Sequence, residues 1–187
     1  MIGAPQIADE AMQLRQRLRG LADRLAPEPL LAGIEQESNG LRETTREKAR
    51  ETEAVIQSGA TIAEGELQQS LLDWQSLSKR VAILAQTLSK QATAVAAEVR
   101  SLRDDQTRWK QAQDQIKEHE SSPELADIAE KALDEIRAAR TLADGQRDRI
   151  IALQQVVAAQ GSIASGEIES VRKAITASQR SLLEQDS

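Results

Sequence analysis

The residues that could do chemistry in this chain are few and poorly matched. There is one histidine, His119, in the break His119-Glu120-Ser121-Ser122-Pro123, and there is no cysteine. Metal centres draw three or four ligands, so a lone imidazole between two helices does not make one. Serines and threonines are plentiful, but no histidine is placed to activate a hydroxyl. Carboxylates occur in two patterns, the pair Asp104-Asp105 and the ladder Glu43, Glu47 and Glu51. Both stand on polar faces beside arginines, where a solvated surface is expected rather than a cation site. With no strand expected, no glycine-rich turn can follow one, which excludes the dinucleotide and P-loop fingerprints. The expectation is no catalytic residue, no metal and no cofactor, hence not an enzyme.

Two tryptophans remain, Trp74 and Trp109, in a chain of 187 residues with no Phe and no Tyr. They stand five heptads apart, and the positions between them explain them. Stepping by seven from Trp74 gives Val81, Leu88, Val95, Leu102, Trp109 and Ile116, all apolar. A row repeating every seven residues is the seam of packed helices, so the tryptophans read as structural core rather than as membrane anchors or a docking site. The companion row begins as Leu77 and Leu84, turns into Gln91, Glu98 and Asp105, and reappears one residue later at Ala92 and Val99. That drift is how a nearly straight helix behaves against a 3.5-residue repeat, and it predicts helices packed side by side.

The elements that carry this row follow from composition. Charged residues make up 29% of the chain, mixed in sign, with a net charge of −6. Without a basic stripe, nucleic acid is not an expected partner. An Ala-, Leu-, Glu-, Gln- and Arg-rich chain with helical periodicity makes long helices, and the near absence of aromatics leaves little for a sheet. The fold class expected is all-α, an elongated antiparallel bundle or coiled-coil hairpin. The start, MIGAPQIADEAMQ, carries neither a basic segment nor an apolar run, so no signal peptide is expected there. The longest apolar runs, Ile150–Leu153 and Val156–Ala159, fall far short of the ~20 residues a membrane span needs, so the fragment itself is expected not to cross a membrane.

Residues 1–64 are expected to form two shorter helices. Ile7, Ala11, Leu14, Leu18, Leu21 and Leu25 mark one amphipathic face, ended by Pro27 and Pro29. The segment 30–57 starts apolar at Leu30, Leu31, Ile34 and Leu41, but its RETTREKARETEA stretch is almost wholly polar. It reads as a solvated helix held by charge pairs, or as one packed only through its ends, broken at Ser58-Gly59. Thr61-Ile62-Ala63-Glu64 fits a capping box. Residues 65–187 are expected to form a long hairpin, about 65–118 and 123–183, with Ser122 as N-cap and Pro123 as the first helical residue. The stripe of the last helix takes in Leu125, Ile128, Leu133, Ile136, Ile150, Leu153, Val157, Ile168, Val171, Ile175 and Leu182, with Gly145, Gly161 and Gly166 as points of kinking or fraying.

Several motifs in residues 70–187 occur in a specific order. They are W-x2-L-x6-L from Trp74 through Leu77 to Leu84, L-x6-W from Leu102 to Trp109, S-S-P-E-L-A-D-I from Ser121, R-x-R-I-I-A-L-Q-Q-V-V-A-A-Q from Arg147 to Gln160, and the closing Leu182-Leu183-Glu184-Gln185-Asp186-Ser187. Together they resemble the N-terminal extramembrane region of large bacterial mechanosensitive channels of the small-conductance family. The resemblance implies a non-catalytic periplasmic domain of an ion-transport membrane protein that answers osmotic stress. It would act in assembly or in modulating gating by helix packing, with the channel remainder, neighbouring subunits and an envelope component as partners. Transmembrane helices would follow near Asp186-Ser187. The alternative from the residues alone is a free-standing helical-bundle adaptor or the coiled-coil part of a signal transducer.

Overall fold

The computed structural model describes residues 6–25, 28–58, 64–119 and 122–185. These residues form five helices, α1 (Ile7–Arg19), α2 (Leu21–Arg24), α3 (Glu28–Gln57), α4 (Glu64–Glu118) and α5 (Pro123–Gln185), with no strand among them. The chain is an all-α bundle of helices packed on one another.

Local chemistry accounts for most helix ends. The first amphipathic face is interrupted at Gly20, whose φ of −83° and ψ of 1° separate α1 from α2; glycine has low helix propensity. Leu25 leaves the helix with ψ of 149°. Pro29 does not end a helix but lies in the first turn of α3, where its missing N–H leaves no hydrogen bond unmade. Pro27, Gly59 and residues 61–63 of the capping box lie outside the described residues. At α5, the Leu125 N–H points to the Ser122 carbonyl (3.0 Å) and hydroxyl (3.4 Å), and Pro123 opens the helix. No break falls at Gly145, Gly161 or Gly166, and α5 runs for 63 residues through all three.

Two compact units divide the chain in space: Met1–Leu31 with Lys90–Ile151, and Ala32–Ser89 with Ala152–Ser187. This division cuts across the expected one at residue 64, because α4 and α5 each give one stretch to either unit. In the first unit, α1 and α2 run antiparallel to α4: Glu10 pairs with Arg108, Arg17 with Asp105, and Arg24 with Glu98 at 3.0 Å. Arg15 reaches Glu135 of α5 at 2.9 Å. Its core joins Ile7, Ala11 and Leu14 to Trp109, Ala112 and Ile116 and to Ala129, Ala132, Leu133 and Ile136.

In the second unit α3 is the third helix. Glu37 faces Arg80 at 3.9 Å and Lys48 faces Asp73 at 2.9 Å, so α3 is antiparallel to α4. Gln179 of α5 bonds to Glu64 of α4 at 2.9 Å, and Gly161 packs near Val81, so these two are antiparallel as well. The core here includes Ile34, Leu41, Leu67, Leu77, Leu84, Leu88, Leu153, Val157 and Val171. Each such side chain taken from water contributes roughly 1.5–3 kcal/mol before entropy is counted.

Both long helices present one row of core residues. On α4, Trp74, Val81, Leu88, Val95, Leu102, Trp109 and Ile116 are all buried. Their companions Leu77, Leu84, Val99 and Ala112 are buried too, while Gln91, Glu98 and Asp105 are only half-buried. On α5 the buried row is Ala129, Ile136, Ala143, Ile150, Val157, Ala164 and Val171, again at steps of seven. Of the apolar stripe expected on α5, Leu125, Ile128 and Ile168 are half-buried, and the Leu182 side chain lies outside the described set. Alanines complete the row because small side chains let two helices approach closely where the partner is large.

A groove between α3 and α5

The polar stretch of α3 is packed along its length, neither solvated throughout nor held by its ends. Leu31, Ile34, Ser38, Leu41, Thr45 and Thr52 are all buried at alternating steps of three and four, with half-buried Lys48 completing the pattern. The row is a heptad seam whose later positions are hydroxyls. Short β-hydroxyl side chains fit where a leucine would, provided the oxygen finds a partner. At Thr52 it does: the buried Trp74 indole N–H donates to Thr52 Oγ1 at 2.8 Å, and the Ser70 hydroxyl lies 3.2 Å away. Lys48 sits between Asp73 and Glu51, at 2.9 and 3.1 Å. The hydrogen bond from Lys48 holds the Asp73 carboxyl below its ordinary value against the opposing effect of burial, and the hydrogen bonds to Asp73 and then Glu51 raise Lys48. The pair therefore stabilises across neutral pH and loses its contribution in acid, as pH falls through the lowered Asp73 value, and again in strong base. Being a third exposed, it is worth about 1 kcal/mol at most.

A face of α3 forms one wall of a groove of about 590 Å³, with α5 as the other wall. From α3 come Arg42, Arg46 and Arg50, one per turn, then Glu53 and Ile56; from α5 come Gln160, Ile163 and Glu167. The three arginines are exposed, and no ion pair to them occurs among the described residues. Gln160 is only 6% exposed, and its side-chain oxygen has no hydrogen-bond partner. Ile56 and Ile163 are exposed apolar side chains at the groove. At its far end, burial pushes the Glu167 carboxyl above its ordinary value, and the nearby Glu53 carboxylate adds to the shift.

That shift has a sign that can be measured. Native Glu167 holds its proton more tightly than the unfolded chain does, so stability falls as pH rises from the ordinary value of 4.5 through the raised native one. Glu167→Gln removes this cost. The variant is expected to melt above the parent at pH 7, with the gain vanishing near pH 4; an equal gain at both pH values would refute the assignment.

The residues singled out from sequence lie elsewhere. Trp74, Val81, Leu88, Val95, Leu102, Trp109 and Ile116 are core, and none lines the α3–α5 groove. Asp104 is exposed, but Asp105 is not a solvated carboxylate: its side chain is largely covered and pairs with Arg17 of α1. Glu43 and Glu47 are exposed, and His119 is an exposed turn residue after α4. No group of three or more His, Asp or Glu side chains is arranged to hold a metal ion among the described residues. The groove went unmarked in sequence because its walls are more than 100 residues apart along the chain; the only signal for it was Arg42, Arg46 and Arg50 at steps of four.

No protein-family model, curated protein or solved structure matches the chain. No helix among the described residues is long and apolar enough to cross a membrane.

Proposed function

We propose that the chain is a non-catalytic interaction module that works by helix packing, as the periplasmic extramembrane region of a mechanosensitive channel of the small-conductance family. The observation carrying the module reading is the pair of helices of 55 and 63 residues with buried rows along both. Close-packed helices of this length pass a displacement on with little compliance. The channel part of the reading rests on the ordered motifs of residues 70–187, from the Trp74 motif to the closing Leu182-Leu183. Its role there is in channel assembly or in modulating gating. Removing residues 1–187 from the full-length protein is expected to shift the gating tension or the yield of assembled channel. Unchanged tension with normal assembly would overturn the role.

The open groove beside α3 favours a second reading, a helical-bundle adaptor or the coiled-coil part of a signal transducer. The reading frame separates the two: membrane-spanning segments encoded directly after Ser187 support the channel, and a stop codon there supports the adaptor.

A further inference from the structure

We propose that the α3–α5 groove of the second unit is the docking site for an acidic amphipathic helix of a partner protein. The inference rests on the reading of the chain as a helix-packing module and names the chemistry of what it packs against.

The arginine row sets the charge of the occupant. Arg42, Arg46 and Arg50 follow one another at four-residue steps, so their Cα atoms rise about 6 Å apart along the wall. A partner helix with carboxylates at i, i+4 and i+8 repeats that spacing. Each guanidinium offers a fork of donors that matches a carboxylate. None of the three is spent on an ion pair among the described residues, although the chain as a whole is acidic at −6. Positive charge left unpaired in three successive turns of an acidic chain is directional.

The opposite wall sets the second requirement. The Gln160 side-chain oxygen is buried and unpartnered, a state that costs free energy until a donor reaches it. Beyond it the Glu167 carboxyl, with Glu53 nearby, adds acceptors to that wall, although Glu53 already takes one hydrogen bond from Gln57. The occupant therefore carries amide or ammonium groups on its second edge, with apolar side chains between the edges to cover Ile56 and Ile163.

Shape favours a helix over a small molecule. The α3 wall from Arg42 to Gln57 spans 16 residues, about 22 Å, and the groove is partly open to solvent. Small-molecule sites instead enclose most of their ligand. A groove between two neighbouring helices accepts a further helix as an extra bundle member.

The test uses the whole chain and a fluorescein-labelled 20-residue helical peptide carrying Glu at i, i+4 and i+8, Gln on the other edge and Leu between. Anisotropy at low salt is expected to show binding at least about tenfold tighter than for the same peptide with Lys in place of Glu. R42E/R46E/R50E is expected to reverse that preference, and raising salt to weaken it. Because the three side chains are exposed, the variant should keep the parent's helical signal and melting; Arg46→Gln alone, expected to weaken binding severalfold, serves if it does not. Absent binding, equal affinity for the two peptides, or binding unmoved by either variant would overturn the proposal. So would a chain dimer that the triple variant dissociates, which would give the groove to a second copy. If the peptide fails while deletion of residues 1–187 still alters the channel, the groove assignment falls and the module reading stands.

Discussion

Trp74→Ala is expected to cost ~3–5 kcal/mol, the range for truncating a buried large aromatic side chain. Trp74 is 0% exposed, so the substitution leaves an enclosed cavity rather than a dent in the surface. It also takes away the N–H that Thr52 accepts. Trp74→Phe goes far to separate the two effects, because it removes the donor and keeps most of the volume. A loss of about 1 kcal/mol is expected for Phe. Trp109→Ala, at 3% exposure in the core of the first unit, should fall in the same 3–5 kcal/mol range by volume alone. Urea unfolding followed by far-UV circular dichroism reads all three. Near-parental midpoints for both alanine variants would show that the tryptophans are not the packing centres of their units.

A gain of similar size is expected from four glycines. Gly33 and Gly40 stand inside α3 and Gly145 and Gly166 inside α5, all exposed, and a Cβ at any of them meets nothing within 4 Å. Glycine inside a helix costs roughly 0.5–1 kcal/mol relative to alanine, through the freedom it returns to the unfolded chain. The four-fold alanine variant should therefore gain about 2–4 kcal/mol, since positions at least two turns apart add. Gly161→Ala is the internal contrast. Its Cβ would stand 3.4 Å from Val81 Cγ1, at the tight edge of van der Waals contact, so the gain should be smaller. Equal gains at Gly161 and Gly166 would show that the close approach of α5 to α4 does not constrain the site.

The all-α class and the α4 row were legible in the sequence because Val, Leu, Ile and Trp mark every seventh position without exception. The α5 row was only half legible. Three of its seven members are alanines, which look the same in a core row and on a surface, and Gln160 holds a core position as a polar residue. The α3 seam was the hardest to read, since after Leu41 it continues as Thr45, Lys48 and Thr52. Whether a threonine lies in a core depends on a partner for its hydroxyl, and that partner, Trp74, is 22 residues away. The groove was not legible at all beyond its arginine spacing, because it exists only where α3 comes to lie beside α5. The Gly20 break and the passage of Pro29 into α3 were likewise set by which turn of a helix each residue occupies, which a stripe of leucines does not specify.

The two threonines of the α3 seam have a consequence for sliding. Thr45 and Thr52 are one heptad apart and both buried. Shifting α3 by seven residues along α4, about 10.5 Å, would carry Thr45 to the level of Trp74, where its hydroxyl could take over the indole N–H. At that level the apolar row and the indole read either position alike, as the teeth of a rack do. What tells them apart is Lys48, since the same shift brings Leu41 to Asp73 and strands its carboxylate. One ion pair of modest strength thus helps to index the helix: the packed seam resists sliding, and the pair favours one of the two threonine registers over the other.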